Sequence, residues 1–174
     1  MPDLQAYAHD VLRFVEAHAH YAPYAAFLLA FCESLALVSL VVPATFALLG
    51  MSPIIAAGGV PLLPVWAATA AGAALGDTVS YWVGFWLKGS AHARWPLNRF
   101  PQALARGERF FRRFGTWSVF LGRFSGPLRA FVPLVAGMLA MPHFLFQMVN
   151  ITSAMLWALL ILGPGAAAVK ALGW

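Results

Sequence analysis

The chain has 174 residues, of which 61% are hydrophobic and only 10% are charged, and its formal net charge is +5. A soluble domain carries roughly 25% charged residues, so the composition excludes an ordinary soluble protein. It predicts an all-α polytopic membrane protein, with residues 1–174 forming a single membrane domain and no soluble catalytic module.

The N-terminal residues 3–20 combine apolar residues at helical spacing with Asp10, Arg13 and Glu16. The segment is too polar to cross a bilayer, and the pattern predicts an amphipathic helix on the membrane surface. We expect no cleavable signal peptide, because the N-terminal region lacks a basic start followed by an apolar core.

The first long apolar run, over residues 24–60, contains Glu33 and is interrupted by Pro43 and by several later prolines and glycines. Irregular backbone at membrane depth must be buried in protein or line a cavity. The run therefore predicts a re-entrant, or broken, helical hairpin, and the alternative is a plain span followed by a loop.

The single cysteine, Cys32, lies in this run and cannot form an intrachain disulfide.

Residues 64–87 predict a regular transmembrane helix. Gly72 and Gly76 form a G-x-x-x-G face that permits close helix approach, either within one subunit or between subunits of a homo-oligomer. Asp77, Tyr81 and Gly84 continue along the same side. Tryptophans near both ends suit the interfacial belts: Trp66, Trp82 and Trp86.

Residues 88–113 carry seven of the eleven lysines and arginines. A short basic loop between membrane spans marks the cytoplasmic side. The loop also attracts anionic lipid, and we expect no nucleic-acid partner. A short helix is predicted near residues 101–113.

The apolar stretch 114–141 contains Arg123 and Arg129 together with Pro127 and Pro133. An arginine at the bilayer centre costs at least ~2.5 kcal/mol on insertion scales. We therefore predict a second re-entrant segment whose arginines face a cavity or a partner. A second transmembrane helix is predicted over residues 143–163, ending at a Gly-Pro-Gly sequence.

The order of these segments repeats: a broken segment with buried charge, then a regular helix, then the same again. A re-entrant segment returns to its own side and the following helix crosses once, so the second unit starts on the side opposite to the first. The hydropathy pattern thus predicts two inverted units, as in many secondary transporters, with the site near the midplane.

Four ionisable residues occupy intramembrane positions, and their formal charges cancel: Glu33, Asp77, Arg123 and Arg129. An unpaired charge in low dielectric is costly, so we expect one cavity to hold all four. One interpretation is a substrate site in which two arginines bind an anionic head group and two carboxylates neutralise them, with a route to proton coupling. The other interpretation is a fixed ion-pair network that holds the two broken segments together.

Enzymatic activity is not expected. Glu33, Asp77 and Tyr81 could do acid–base chemistry, which keeps an enzyme as a minor reading, but the sequence lacks a nucleophile–base pair and a phosphate-binding glycine loop. It also lacks a metal-ligand spacing, so no metal and no cofactor is predicted. The histidines near the N-terminus and His143 are interpreted as interfacial residues.

Three segments resemble the DedA family of bacterial membrane proteins, also called SNARE-associated or VTT-domain proteins. Residues 110–150 look like the family's signature, residues 76–84 (GDTVSYWVG) resemble its Gly-Asp-x-x-x-Tyr-x-x-Gly element, and residues 33–45 resemble its first re-entrant segment. The resemblance covers about residues 24–160.

The resemblance implies an inner-membrane transporter with two facing re-entrant segments. Family members are linked to recycling of undecaprenyl phosphate, to phospholipid translocation and to dependence on the proton motive force. The family's functional glutamate matches Glu33, its essential arginine pair matches Arg123 and Arg129, and the aspartate of its Gly-Asp element matches Asp77. Many members have Pro-Gly-Asp or Pro-Gly-Glu in the first re-entrant segment, whereas this chain has Pro43-Ala44-Thr45, so a second acid is missing there.

The expected function is therefore transport of a lipid phosphate, with Tyr81 added to the four charged residues as a site residue. Two other readings stay open on the sequence: a permease for another small anion, and a non-transporting factor for membrane integrity or assembly.

Overall fold

A computed structural model describes residues 19–35, 44–57, 60–87, 101–125 and 128–171 of the chain, and every regular element in these ranges is helical. After a 3₁₀ turn at Ala19–Tyr21 come the helices α1 (Ala22–Ser34), α2 (Ala44–Ala57), α3 (Leu62–Leu87), α4 (Pro101–Phe114), α5 (Trp117–Arg123), α6 (Leu128–Met138) and α7 (His143–Ala171). The predicted amphipathic helix over residues 3–20 lies almost wholly outside the described residues, as does the first half of the basic loop.

Two of these helices are long and apolar enough to cross a membrane, over Leu62–Leu87 and His143–Ala167. The prediction of an all-α protein with two membrane-capable helices is confirmed. The two helices run antiparallel, since the rings of Trp82 and His143 lie 5.2 Å apart and the Trp66 indole donates to the Met155 carbonyl at 3.0 Å.

The predicted end of the last helix at residues 163–165 was wrong, because α7 continues through Pro164 to Ala171. Helix α2 packs against this part of α7, where the Ser52 hydroxyl donates to the Leu162 carbonyl at 2.5 Å. Gly165 also faces the Ser52 side chain. Helix α2 therefore packs on the part of α7 that surrounds Pro164.

Helix α1 lies against the first half and the middle of α3 and runs in the same direction. Gly72 meets the Phe27 carbonyl, and a Cβ at Gly76 would lie 2.6 Å from the Phe31 carbonyl oxygen. The G-x-x-x-G face is therefore used for close approach within the chain. One turn further on, the Ser80 hydroxyl donates to the carbonyl of Ser34 at 3.2 Å.

Helix α6 packs on the other end of α3, where Gly84 meets the Leu134 carbonyl and Gly137 meets the Tyr81 carbonyl. Helix α2 contacts the C-terminal half of α7, around Leu162. The short helices α2 and α6 thus lie towards opposite ends of the α3–α7 pair. Each short helix packs on the long helix of the other half of the chain.

The apolar core is divided along the long helices. One cluster joins α1, α2, α3 and α7 and includes Ala73 and Trp157, whereas another joins α3, α5, α6 and α7 and includes Tyr81 and Phe146. Helix α4 adds its apolar face, through Leu104, to α6. Between the two clusters, α3 and α7 carry buried polar residues, and these define the candidate site.

Candidate functional site: two buried arginine–carboxylate pairs

The polar layer between the two apolar clusters is built by the middle of the long helices and the ends of the short ones. Asp77 lies at the middle of α3, Glu33 at the end of α1, Arg123 at the end of α5 and Arg129 at the start of α6. The structure brings all four charged residues that the sequence predicts to lie in the membrane into this layer as two ion pairs, which we call the charge cluster.

Arg123 is paired with Asp77, and their side chains are only 2% and 8% exposed. The same Nη2 atom donates to Asp77 Oδ2 and, at 2.6 Å, to Asn150 Oδ1. Nε donates to the Ser153 hydroxyl at 3.0 Å. Nη1 is buried and has no hydrogen-bond partner among the residues that the structure describes. Protein side chains therefore hold Nε and Nη2 of Arg123, whereas the N–H donors of Nη1 can bond a further acceptor.

Arg129 is paired with Glu33 through an Nη1–Oε1 distance of 2.8 Å, and the side chains are 11% and 6% exposed. Its Nη2 reaches the Ser34 hydroxyl at 3.4 Å. Its guanidinium carbon lies 4.4 Å from the ring centroid of Trp157, which is a favourable cation–π distance. Arg129 is thus held by a carboxylate and an aromatic face.

The two ion pairs act as one electrostatic unit. Asp77 lies within electrostatic reach of both Arg123 and Arg129, and the two arginines also act on each other. Two like charges this close in a buried layer are tolerated because two carboxylates cancel them. Removing one member leaves an uncompensated buried charge, so the cluster is stable only as a neutral set or with a ligand in place of a carboxylate.

Tyr81 is the sequence-predicted site residue that the structure does not bring into the charge cluster. Its hydroxyl donates to the Met141 carbonyl at 2.5 Å, and its ring stacks on Phe146 at 4.4 Å between centroids. In this position Tyr81 ties the turn before α7 to α3.

Three residues of α7 that sequence reasoning missed line the cluster: Asn150, Ser153 and Trp157. Asn150 and Ser153 bond to Arg123, and Trp157 lies under Arg129. The signal was present, since spacings of three and four residues place them on one face of a helix. An asparagine and a serine inside an apolar span are also costly unless they have partners.

The chemistry available to this arrangement is anion binding. Two guanidinium groups supply charged N–H donors in a planar fork, which suits a phosphate or a carboxylate. Within the described parts of the chain, no three His, Cys, Asp or Glu side chains are grouped as a metal ion would require.

Comparison with known proteins identifies the family. The VTT domain model matches residues 48–167. Inner membrane protein YabI of Escherichia coli (strain K12) is 35% identical over 160 residues, covering 91% of this chain and 63% of YabI. An uncharacterized membrane protein of Buchnera aphidicola subsp. Acyrthosiphon pisum, BU139, is 31% identical over 138 residues, covering 79% and 54% of the two chains.

An uncharacterized membrane protein of Mycobacterium tuberculosis, Rv2637, is 38% identical over 91 residues, covering 50% of this chain and 42% of the relative. The chain therefore spans less than two thirds of the length of each of these three relatives. No solved structure matches it. The match to the domain model extends over more than half of the sequence, and the chain belongs to the VTT-domain (DedA) family of membrane proteins.

Proposed function

We propose that the protein translocates a lipid phosphate, such as undecaprenyl phosphate or a phospholipid, across the bacterial inner membrane without catalysing a covalent reaction. The observation that carries the proposal is the buried Nη1 of Arg123, which has no hydrogen-bond partner among the described residues, within a cluster that holds a second arginine. A phosphate needs several N–H donors and a neutralising charge, and the two arginines supply both.

The exchange of partners drives the proposed cycle. In the empty state Asp77 and Glu33 neutralise Arg123 and Arg129. A bound phosphate takes over the arginines, so the carboxylates lose their partners in a low-dielectric layer. A carboxylate in that situation takes up a proton or swings towards water, which provides the coupling to the proton motive force.

The architecture supports alternating access between two inverted units. In the proposal, α1 with α2 and α5 with α6 are re-entrant hairpins that enter from opposite sides, and α3 and α7 cross the bilayer. The placement of α2 and α6 towards opposite ends of the α3–α7 pair supports this arrangement. Sites at the interface of inverted broken segments are typical of secondary transporters.

The proposed topology places residues 88–113 in the cytoplasm, because basic loops remain on that side. Helix α4 presents Arg109 and Arg112 on its exposed face, and we propose that these side chains attract anionic lipid. Homo-oligomerisation remains part of the proposal, although Gly72 and Gly76 are already used against α1.

Transport by purified protein in liposomes tests the proposal. Arg123→Ala and Arg129→Ala are expected to lose uptake of labelled lipid phosphate, whereas Thr152→Ala, an exposed residue on α7, should transport normally. Because a lone Asp77 charge can prevent folding, the double variant Arg123→Gln/Asp77→Asn removes both charges together. Normal transport by a folded form of this double variant would rule out the assigned role of Arg123.

The same arginines suit a permease for a small oxyanion, and counterflow separates the two functions. Liposomes loaded with unlabelled lipid phosphate should drive uptake of labelled lipid phosphate, and inorganic phosphate should not compete. Competition by inorganic phosphate, with no lipid counterflow, would favour the small-anion permease.

The closed ion pairs favour a third candidate, a non-transporting membrane-integrity or assembly factor in which the charges only hold helices together. Charge exchange distinguishes it. Glu33→Arg/Arg129→Glu keeps a neutral pair but moves the phosphate-binding group to α1. The transporter is expected to lose activity in this variant, whereas the structural factor should keep it.

A further inference from the structure

A groove on the outer surface of the α3–α7 pair lies directly behind the charge cluster. It has a volume of about 540 Å³ and is lined almost entirely by apolar groups, with Ala71 and Leu75 on α3 and Ile151 and Met155 on α7. Leu75, Ile151 and Met155 are between 42% and 50% exposed. In a membrane these faces meet lipid chains instead of water, so the groove opens sideways into the bilayer.

The groove has the length of one lipid leaflet. On α3 it extends from Trp66 to Thr78, which corresponds to about 18 Å at the helical rise of 1.5 Å per residue. The hydrocarbon layer of one leaflet is half of ~30 Å. The row of alanines along the groove makes room for a chain and offers it only apolar contacts.

The groove ends on polar groups at the depth of the charge cluster. Thr78 and Gln147 line this end and bond to each other at 3.0 Å. Behind them, Asn150 donates to the Ala74 carbonyl at 2.9 Å, and its Oδ1 accepts from Arg123 at 2.6 Å. A single buried amide therefore separates the groove from the charge cluster, and the three side chains Thr78, Gln147 and Asn150 form what we call the portal.

We propose that the groove binds a hydrocarbon chain of the transported lipid while its phosphate is held at the charge cluster, and that the head group enters through the portal. The inference rests on the proposed function and names the part of the site that recognises a lipid. It accounts for the polar groups at the end of an apolar groove, which are costly on a lipid-facing surface without a purpose.

A second copy of the chain fits the groove less well. Homodimers are commonly two-fold symmetric and use the same patch on both subunits. A symmetric dimer on this face would place one concave groove against another and leave both unfilled. A flexible hydrocarbon chain fills a groove of this shape without requiring a matching ridge.

Photolabelling in liposomes tests the groove directly. The probe is a phosphatidic acid with a diazirine at the middle of one acyl chain, mixed into phosphatidylcholine vesicles with the purified protein. Labelling is expected to concentrate on the groove stretches 66–78 and 147–155. In Ala71→Phe it should fall about tenfold, as expected when the chain loses contact with roughly two methylene groups. The matched control Ala167→Phe, at an exposed alanine of α7 that does not line the groove, should label as the parent protein does.

Two further results separate this proposal from the proposed function. Arg129→Ala should lose transport but keep the groove labelling, and Ala71→Phe should lose both. If the probe labels the groove of the parent protein but the protein transports no lipid, the groove proposal is supported and the transport proposal fails. Equal labelling of the groove and of exposed residues elsewhere, such as Leu63 or Leu159, would overturn the groove proposal. The proposal would also be overturned if two copies of the protein cross-linked to each other through the groove and the probe no longer labelled it.

Discussion

The two arginines of the charge cluster are held in different ways, and this difference has consequences at the level of single residues. Arg123 uses Nε and Nη2 to reach Asp77, Asn150 and Ser153. Arg129 reaches Glu33 through Nη1 and, at 3.4 Å, Ser34 through Nη2, and its guanidinium lies on the face of Trp157. The larger set of polar partners makes Arg123 depend more on the geometry of a planar fork.

Substitution by lysine is therefore expected to separate the two arginines. A lysine at position 129 keeps a positive charge for Glu33 and a cation for the Trp157 ring, so Arg129→Lys should retain measurable lipid transport. Arg123→Lys cannot satisfy Asn150, Ser153 and a phosphate together, and its transport should fall at least ~10-fold further, which corresponds to about 1.4 kcal/mol. Initial rates in liposomes provide the measurement, and equal losses in both variants would contradict the asymmetry.

Asn150 is expected to support both the cluster and the stability of the protein. Replacement by leucine removes the hydrogen bond from the charged Arg123 Nη2 to the amide and the hydrogen bond from the amide to the Ala74 carbonyl, and a hydrogen bond to a charged group contributes about 1.5–3 kcal/mol. We expect Asn150→Leu to lower the midpoint of thermal unfolding in detergent and to lose transport. Thr152→Leu, which changes an exposed residue on the same helix, is the control and should do neither. An unchanged unfolding midpoint in Asn150→Leu would show that the amide is dispensable.

The identity of the charged residues could be predicted from the sequence, but their partners could not. Hydropathy marks Glu33, Asp77, Arg123 and Arg129 because charge is expensive in a bilayer. Which carboxylate meets which arginine depends on how α1, α5 and α6 end around α3 and α7, and no periodicity encodes that. The sequence predicted Tyr81 in the site because it lies on the same face of α3 as Asp77. It is one helical turn further along, however, and there its hydroxyl donates to the Met141 carbonyl.

At the scale of the helices, close approach at glycines sets the packing. Gly84 on α3 and Gly137 on α6 each face a carbonyl of the other helix, so the two backbones touch without intervening side chains. Small residues at helix interfaces are the usual means of such contact in membranes. The contact fixes α6, and with it Arg129, relative to α3.

Alanine at either of these glycines is therefore expected to push α3 and α6 apart. A methyl group at position 84 or 137 would overlap a backbone carbonyl that cannot give way, and overpacking of this kind costs about 1–3 kcal/mol. Gly84→Ala and Gly137→Ala should unfold at lower temperature in detergent. Gly50→Ala is the control, because a Cβ at Gly50 meets nothing within 4 Å. That variant should be neutral or slightly more stable, since alanine favours a helix over glycine. Equal midpoints for all three variants would exclude a close α3–α6 contact.

The helices themselves were largely predictable because hydropathy and breakers act locally. The sequence predicted helices over 64–87 and near 101–113, and the structure has Leu62–Leu87 and Pro101–Phe114. The sequence predicted that the last helix ends around Pro164, whereas α7 continues to Ala171. The packing of α2 on this part of α7 joins distant parts of the chain, and local sequence does not encode it. The hydrogen bond from Ser52 to Leu162 lies beyond the reach of any local pattern.

On the scale of the whole molecule, the charge cluster lies between two apolar cores, and each core is built from both halves of the chain. Helix α2 of the first half completes the core on α7, and α6 of the second half completes the core on α3. A rotation of one half of the chain relative to the other would therefore loosen the packing in one core and tighten it in the other. Such a change gives the proposed alternating access a physical basis, since packed interfaces favour discrete arrangements over continuous deformation.

Alternating access of this kind requires that α3 crosses the bilayer once, and the sidedness of its two ends tests this. Cys32 is first replaced by alanine, and single cysteines are then introduced at Pro61, exposed just before α3, and at Gln102, exposed on α4. In the proposed topology, the basic segment around Gln102 lies on the cytoplasmic side, where basic loops are retained. An impermeant thiol reagent should therefore label Gln102→Cys only in inside-out vesicles and Pro61→Cys only in right-side-out cells. Labelling of both positions from the same side would mean that α3 does not cross, and the inverted arrangement of the two units would then be excluded, because the two halves would enter the membrane from one side.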